Sequence, residues 1–221
     1  EKIYFLPGRV QVGSAEVSFD DLVYEAYRAR VPLSATGFYA TPKINWDKKQ
    51  ARGRPFYYFA YGAAVTEVAI DTLTGENRLL RVDILHDVGR SLNPAIDLGQ
   101  IEGGFVQGVG WLTTEELWWD KGGQLKTHAP STYKIPTLGD RAPDMRMEIW
   151  KKGKNAEPTI HRSKAVGEPP LMLAISAFMA LSDAVSASGN DQHYPGLDTP
   201  ATPERVLAAV GRVRDLSEAA A

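Results

Sequence analysis

One carboxylate is placed where it could do chemistry. Glu168 lies in Ser163-Lys164-Ala165-Val166-Gly167-Glu168-Pro169-Pro170-Leu171, directly ahead of an apolar run that continues to Leu181. Proline is pre-set for the first turn of a helix, so Glu168 is expected at the N-terminus of a buried helix. The helix dipole there stabilises a negative charge by about 0.3–1 kcal/mol. Burial against apolar neighbours works the other way and raises a carboxyl pKa. If the site is deep, desolvation wins and Glu168 is suited to act as a general base near neutral pH. The plainer reading is a glutamate that caps a helix, and the local sequence leaves both open.

A second stretch asks for a reason of its own. Gly99-Gln100-Ile101-Glu102-Gly103-Gly104-Phe105-Val106-Gln107-Gly108-Val109-Gly110-Trp111-Leu112 carries five glycines, yet Ile101, Phe105, Val109 and Leu112 recur at helical spacing. A helix is expected, with each glycine costing about 1 kcal/mol relative to alanine. Close approach of a ligand or another backbone would account for that cost, and so would tight helix–helix packing.

Other chemistries find no pattern. No phosphate-binding glycine loop opens a helix after a strand, and there is no His-Glu-x-x-His zinc pair. His86, His128, His161 and His193 lack metal-ligand spacing, so no metal ligand is expected from this chain. Ser131-Thr132-Tyr133-Lys134 lacks the partners a serine–lysine nucleophile would need, and Lys151 to Asn155 reads as a solvated basic turn.

The composition is that of a globular protein: 221 residues, 43% hydrophobic and 24% charged, with a net charge of −2. With lysines and arginines scattered, neither nucleic acid nor an anionic membrane is expected as a partner. No cysteine is present, so no thiolate-held zinc or iron–sulfur cluster is built from this chain alone. No apolar run near 18 residues and no leader is read from the sequence, which makes a cytoplasmic location the default expectation. The chain opens at Glu1 with Ile3 to Leu6 resembling a strand already in progress, so a piece of something longer is expected.

These residues need elements to hold them. Pro7-Gly8 turns Ile3–Leu6 into Val10–Val12, and Ser18 with Asp21 starts a helix. Leu33 to Trp46 reads as strand and loop, and Asp47 to Arg54 as a solvated loop. A long strand from Tyr57 to Asp71 turns at Thr74–Asn77 into an antiparallel partner from Leu79 to Asp87. A hairpin is expected from Glu116–Trp119 and Leu125–His128, then a strand over Met145–Trp150. Thr202-Pro203 starts a last helix, with residues 215–221 expected to fray. The fold class is mixed α/β (α+β), with antiparallel hairpins packed against helices.

Several motifs, in order, closely resemble the C-terminal part of the molybdenum-binding subunit of xanthine dehydrogenases, in the xanthine oxidase/aldehyde oxidase family. They are Thr36-Gly37-Phe38-Tyr39, Asp87-Val88-Gly89 with Ser91-Leu92-Asn93-Pro94, Gly99 to Gly103, Phe105 to Gly108, Pro130 to Pro136, and Ser163 to Leu171. The resemblance implies that residues 1–221 are the C-terminal segment of a larger molybdopterin-binding domain, incomplete without preceding chain. It implies hydroxylation of hypoxanthine and xanthine to urate, with Glu168 as general base. Gln100 then matches a glutamine that hydrogen-bonds the pterin; Gln107, two turns on, and the backbone at Val166 and Gly167 would line the same cofactor. The resemblance further implies 2Fe-2S clusters and FAD elsewhere in the enzyme, an iron–sulfur/FAD subunit as partner, and a heterotetramer. It leaves the electron acceptor, NAD or oxygen, open. An aldehyde or other N-heterocycle hydroxylase and a non-catalytic assembly module are the competing readings.

Overall fold

The computed structural model describes residues 2–219 and divides into two compact units, Glu1–Pro55 and Phe56–Ala221. In the first, β1 (Ile3–Leu6), β2 (Arg9–Val12) and β3 (Ala15–Ser18) form an antiparallel meander, one strand longer than the expected hairpin. Ser18 then caps α1 (Phe19–Arg28), its hydroxyl accepting the Asp21 N–H at 3.0 Å. The polar run after Trp46 is a small hairpin rather than a loop, pairing β4 (Asn45–Asp47) with β5 (Arg52–Arg54). Its turn is closed by Asp47, whose carboxylate accepts the N–H groups of Lys49 and Gln50.

The second unit is built on a three-stranded sheet. β6 (Gly62–Ile70) and β7 (Asn77–His86) pair antiparallel from Gly62↔His86 to Ile70↔Asn77, with a bulge at Glu67/Val68. β6 begins at Gly62, later than the expected Tyr57. β8 (Asp144–Ile149) lies parallel to β7, from Arg81↔Asp144 to His86↔Ile149. Parallel neighbours need a crossover, and α2 (Pro94–Thr113) provides it. The expected hairpin over 116–128 shrinks to a single bridge, Trp119↔Leu125.

α2 buries the predicted face. Ile101, Phe105, Val109 and Leu112 pack with Leu79, Val82 and Ile84 of β7 into one core. Each fully buried side chain of this size contributes about 1.5–3 kcal/mol. A second core joins Leu181 and Val185 of α3 (Ile175–Ala187) to Val206, Ala209, Val210 and Val213 of α4 (Pro203–Ala219). α4 stays helical through Ala219, past the expected fraying from Asp215, while residues 220 and 221 lie outside the described residues.

The apolar run after Glu168 starts as a 3-10 helix, Pro169–Ala174, and continues as α3. Contrary to the sequence reading, Pro169–Ala187 is by length and composition alone apolar enough to cross a membrane. Ala174, Ala177, Leu181 and Val185 on its inward side fill the two cores, while Met172, Ile175 and Met179 are exposed.

Candidate active-site segment

The segment that carries Glu168 is fastened before and after it. Upstream, Val88–Arg90 and Arg162–Lys164 pair antiparallel through Lys164 N–H to Val88 O and Arg90 N–H to Arg162 O, with Gly89 opposite Ser163. Gly89 takes a left-handed φ of 64°, and a Cβ there would meet the Ser163 carbonyl carbon and the Lys164 nitrogen at 3.0 Å. Only glycine permits both. Asn155, buried, donates to Ser163 O at 3.0 Å, and the Thr159 hydroxyl donates to the same oxygen at 2.7 Å.

The side chain of Lys164 turns inward. Its ammonium meets Asp87 Oδ2 at 2.6 Å and lies 4.7 Å from the centre of the Tyr61 ring, with only 6% of the side chain exposed. Asp87 Oδ1 accepts the Gly89 N–H at 2.7 Å, so one carboxylate ties both sides of the pairing. One residue on, the Ala165 N–H donates to the Tyr58 hydroxyl at 2.9 Å.

Downstream, Pro169-Pro170 begins the 3-10 helix, which lies in the groove left by Gly104 and Gly108 of α2. A Cβ at Gly104 would stand 3.1 Å from Pro170 Cβ, and one at Gly108 would stand 2.6 Å from Ala174 Cβ. These glycines serve tight packing.

Glu168 differs from its expectation. It precedes a 3-10 helix instead of a regular α-helix, has αR backbone angles (φ −102°, ψ −42°), and its side chain makes no cap hydrogen bond. The capping reading therefore finds no support. Glu168 is exposed, so the chain itself supplies none of the burial invoked above.

Gln100 and Gly167 are neighbours: a Cβ on Gly167 would lie 3.7 Å from Gln100 Oε1. Val166 is half-buried against the sheet core. Gln107 is exposed on the same side of α2, about 10.5 Å along the axis from Gln100 at the usual rise of 1.5 Å per residue. The structure thus gathers Gln100, Val166, Gly167 and Glu168, with Gln107 two turns further along. Between the two amides Gly103 faces open space, nothing standing within 4 Å of a Cβ there. A cavity of about 770 Å³, lined by Arg90, Pro94, Leu98, Ile149, Trp150 and Arg162, contains none of the five residues. Gln100, Gln107, Gly167 and Glu168 are exposed, and Val166 is half-buried.

Residues missed from sequence include Lys164, Asp87 and Tyr58, although two of them sit inside motifs already singled out. His86, expected to be structural or exposed rather than a ligand, is buried. It ends the inward row Val82, Ile84, His86 of β7; both ring nitrogens lack a partner, and burial lowers its pKa from the ordinary histidine value. Among the described residues no group of three or more His, Cys, Asp or Glu side chains could hold a metal ion.

Residues 1–142 match the molybdopterin cofactor-binding domain family. The chain belongs to that family. The match includes Gln100 and Gln107 and ends before Val166, Gly167 and Glu168. Over 198 residues the chain is 49% identical to the xanthine dehydrogenase/oxidase of Mus musculus, which covers 87% of this chain and 15% of that protein. Among solved structures, quinoline 2-oxidoreductase from Pseudomonas putida 86 superposes with a TM-score of 0.61 at 26% identity, over 95% of this chain and 26% of that one. Aldehyde oxidoreductase from Desulfovibrio gigas gives 0.62 at 25% identity, over 90% and 20%.

The site residues fit the family's cofactor. A pterin is a flat ring system with donors and acceptors on its edges, and amides answer both. Gln100 and Gln107 offer two amides on one helix face, while Gly103 leaves bare backbone between them, where a ring can approach closely.

Proposed function

We propose that this molybdopterin-binding chain is the C-terminal segment of the molybdenum-binding subunit of a xanthine dehydrogenase, supplying the general base and part of the pterin wall for hydroxylation of hypoxanthine and xanthine to urate. The observation that carries the reading is the setting of Glu168. Its carboxylate follows a fastened segment, with the adjoining Gly167 near the amide of Gln100, and it is not used as a helix cap. When bound, the molybdenum–pterin group supplies the oxidant that takes two electrons from the substrate. Glu168 accepts the proton released as a water-derived oxygen adds to an electron-poor purine carbon. Gln100 and Gln107 hold the pterin edge through their amides, and Gly167 keeps the backbone beside Gln100 free of a side chain. The chain spans 15% of the mouse relative's length, so the remaining site residues, the 2Fe-2S clusters, FAD and the partner subunit of a heterotetramer are assigned to the rest of the enzyme.

A related reading, hydroxylation of an aldehyde or another N-heterocycle, is favoured by the superposition on aldehyde and quinoline oxidoreductases. The test is made on the intact enzyme. Molybdenum and pterin content are measured first, then urate formation from xanthine, alongside the Glu168→Gln variant. Loss of a base is expected to slow turnover at least about 10²–10⁴-fold at unchanged cofactor content. Near-normal turnover by that variant removes Glu168 from the chemistry. Turnover of aldehydes or quinolines without urate formation moves the assignment to the related reading. A native complex with neither metal nor pterin leaves only an assembly role.

A further inference from the structure

We propose that Lys164 and Tyr58 are positioning residues for Glu168, fixing where its carboxylate stands; the inference rests on the reading of Glu168 as the base. A largely buried ion pair such as Lys164–Asp87, with 6% and 17% of the two side chains exposed, is poorly explained by stability alone. Desolvating two charges offsets most of their attraction, and well-packed apolar residues frequently serve the fold as well. What such a pair supplies is a single allowed arrangement. Asp87 binds the Lys164 ammonium with one oxygen and the Gly89 N–H with the other, so it fixes how residues 162–164 lie against 88–90.

The backbone just upstream would not hold this path unaided. His161 and Arg162 both occupy the left-handed region, with φ of 49° and 62°, a conformation disfavoured for side chains of their size. Hydrogen bonds hold them there: Asn155 and Thr159 to Ser163 O, and the Arg162 guanidinium to Ala156 O at 3.0 Å. Tyr58 then takes the N–H of Ala165, the last backbone hydrogen bond before Glu168 among those described. Beyond Glu168, Pro169-Pro170 is pinned against α2. Only Val166 and Gly167 separate the Tyr58 anchor from the carboxylate, so a shift at Lys164 or Ala165 is passed to it.

The test compares Lys164→Met, Lys164→Arg and Tyr58→Phe with Glu168→Gln in the complete holoenzyme, reading molybdenum and pterin content, KM, and kcat per bound molybdenum. A displacement near 1 Å costs about 100-fold, so Lys164→Met is expected to lose about 10- to 100-fold in kcat with KM and cofactor content nearly unchanged. Tyr58→Phe removes one hydroxyl from a half-buried ring and is expected to lose about 3- to 10-fold on the same argument. Lys164→Arg keeps the charge and is expected to recover most of the rate. If Lys164→Met does not accumulate, Tyr58→Phe decides alone. Wild-type kcat per molybdenum in Tyr58→Phe and Lys164→Met, or losses only in proportion to missing cofactor, overturns the proposal. An inactive Glu168→Gln beside fully active Tyr58→Phe and Lys164→Met sinks the positioning role and spares the base. An active Glu168→Gln sinks both.

Discussion

Two edges of α2 carry the same residue type for opposite reasons. Gly104 and Gly108, one turn apart, meet the 3-10 helix at Pro170, Leu171 and Ala174, whereas Gly110, seven residues on from Gly103 and on the other side, meets Pro136 and Glu115 where the chain leaves the helix. Gly99 and Gly103, also one turn apart, meet nothing within 4 Å. On the first edge the missing side chains let the element behind Glu168 come close. On the second they leave bare helical backbone beside Gln100 and Gln107. A glycine in a helix costs about 1 kcal/mol in propensity wherever it stands, so contact, not composition, separates its uses. The sequence reading set packing against close approach of a ligand as alternatives. Packing holds for 104, 108 and 110, while Gly103 meets open space, which packing does not explain.

Glu168→Gln, argued above, has the largest expected effect on turnover, and the largest expected effect on the fold belongs to Gly108→Ala. The added methyl would fall on the Leu171 carbonyl oxygen and 2.6 Å from Ala174 Cβ, both fixed by the helix opposite. Overpacking of this kind costs about 1–3 kcal/mol or more, which exceeds the gain of about 1 kcal/mol in helix propensity. A lower temperature of half-inactivation for the intact enzyme, together with lost activity as the Glu168 segment moves, is the expected result. Gly104→Ala meets Pro170 Cβ at 3.1 Å and Leu171 N at 3.3 Å, contacts that relax by a few tenths of an ångström. Propensity then nearly offsets strain, leaving stability within about 1 kcal/mol of the parent. Equal damage from both substitutions would show that the graded fit along this edge is not what sets stability.

The same contrast explains what sequence could reach. Ile101, Phe105, Val109 and Leu112 were legible because helical spacing and apolar character are local, and all four are buried. The β6–β7 pairing was legible because Thr74-Gly75 marks the turn, where Gly75 takes a φ of 77°. β8 was legible as a strand but not in direction, since alternation in Met145–Ile149 reads alike for parallel and antiparallel neighbours. Glu168 shows the sharper limit. Gly-Glu-Pro-Pro does specify a helical turn beginning at Pro169, but burial of the carboxylate depends on what lies across from it, and this chain leaves it exposed. Lys164 and Asp87 are 77 residues apart, and no periodicity links an ion pair at that distance.

The smallest expected effect on the fold is the one that probes the open edge. Gly103→Ala adds a methyl into space that no described residue occupies, and the helix gains up to about 1 kcal/mol from the better propensity of alanine. Stability is therefore expected to rise slightly, opposite in sign to Gly108→Ala. If the face between Gln100 and Gln107 receives the pterin, that methyl stands where the ring comes closest, and the molybdenum-to-protein ratio of the purified enzyme falls as thermal stability rises. The two readouts moving in opposite directions separate a ligand contact from damage to the fold, which would lower both. A Gly103→Ala enzyme with higher stability, full molybdenum and full turnover would mean that the bare backbone holds nothing, and would leave Gln100 and Gln107 to be explained without a ring lying between them.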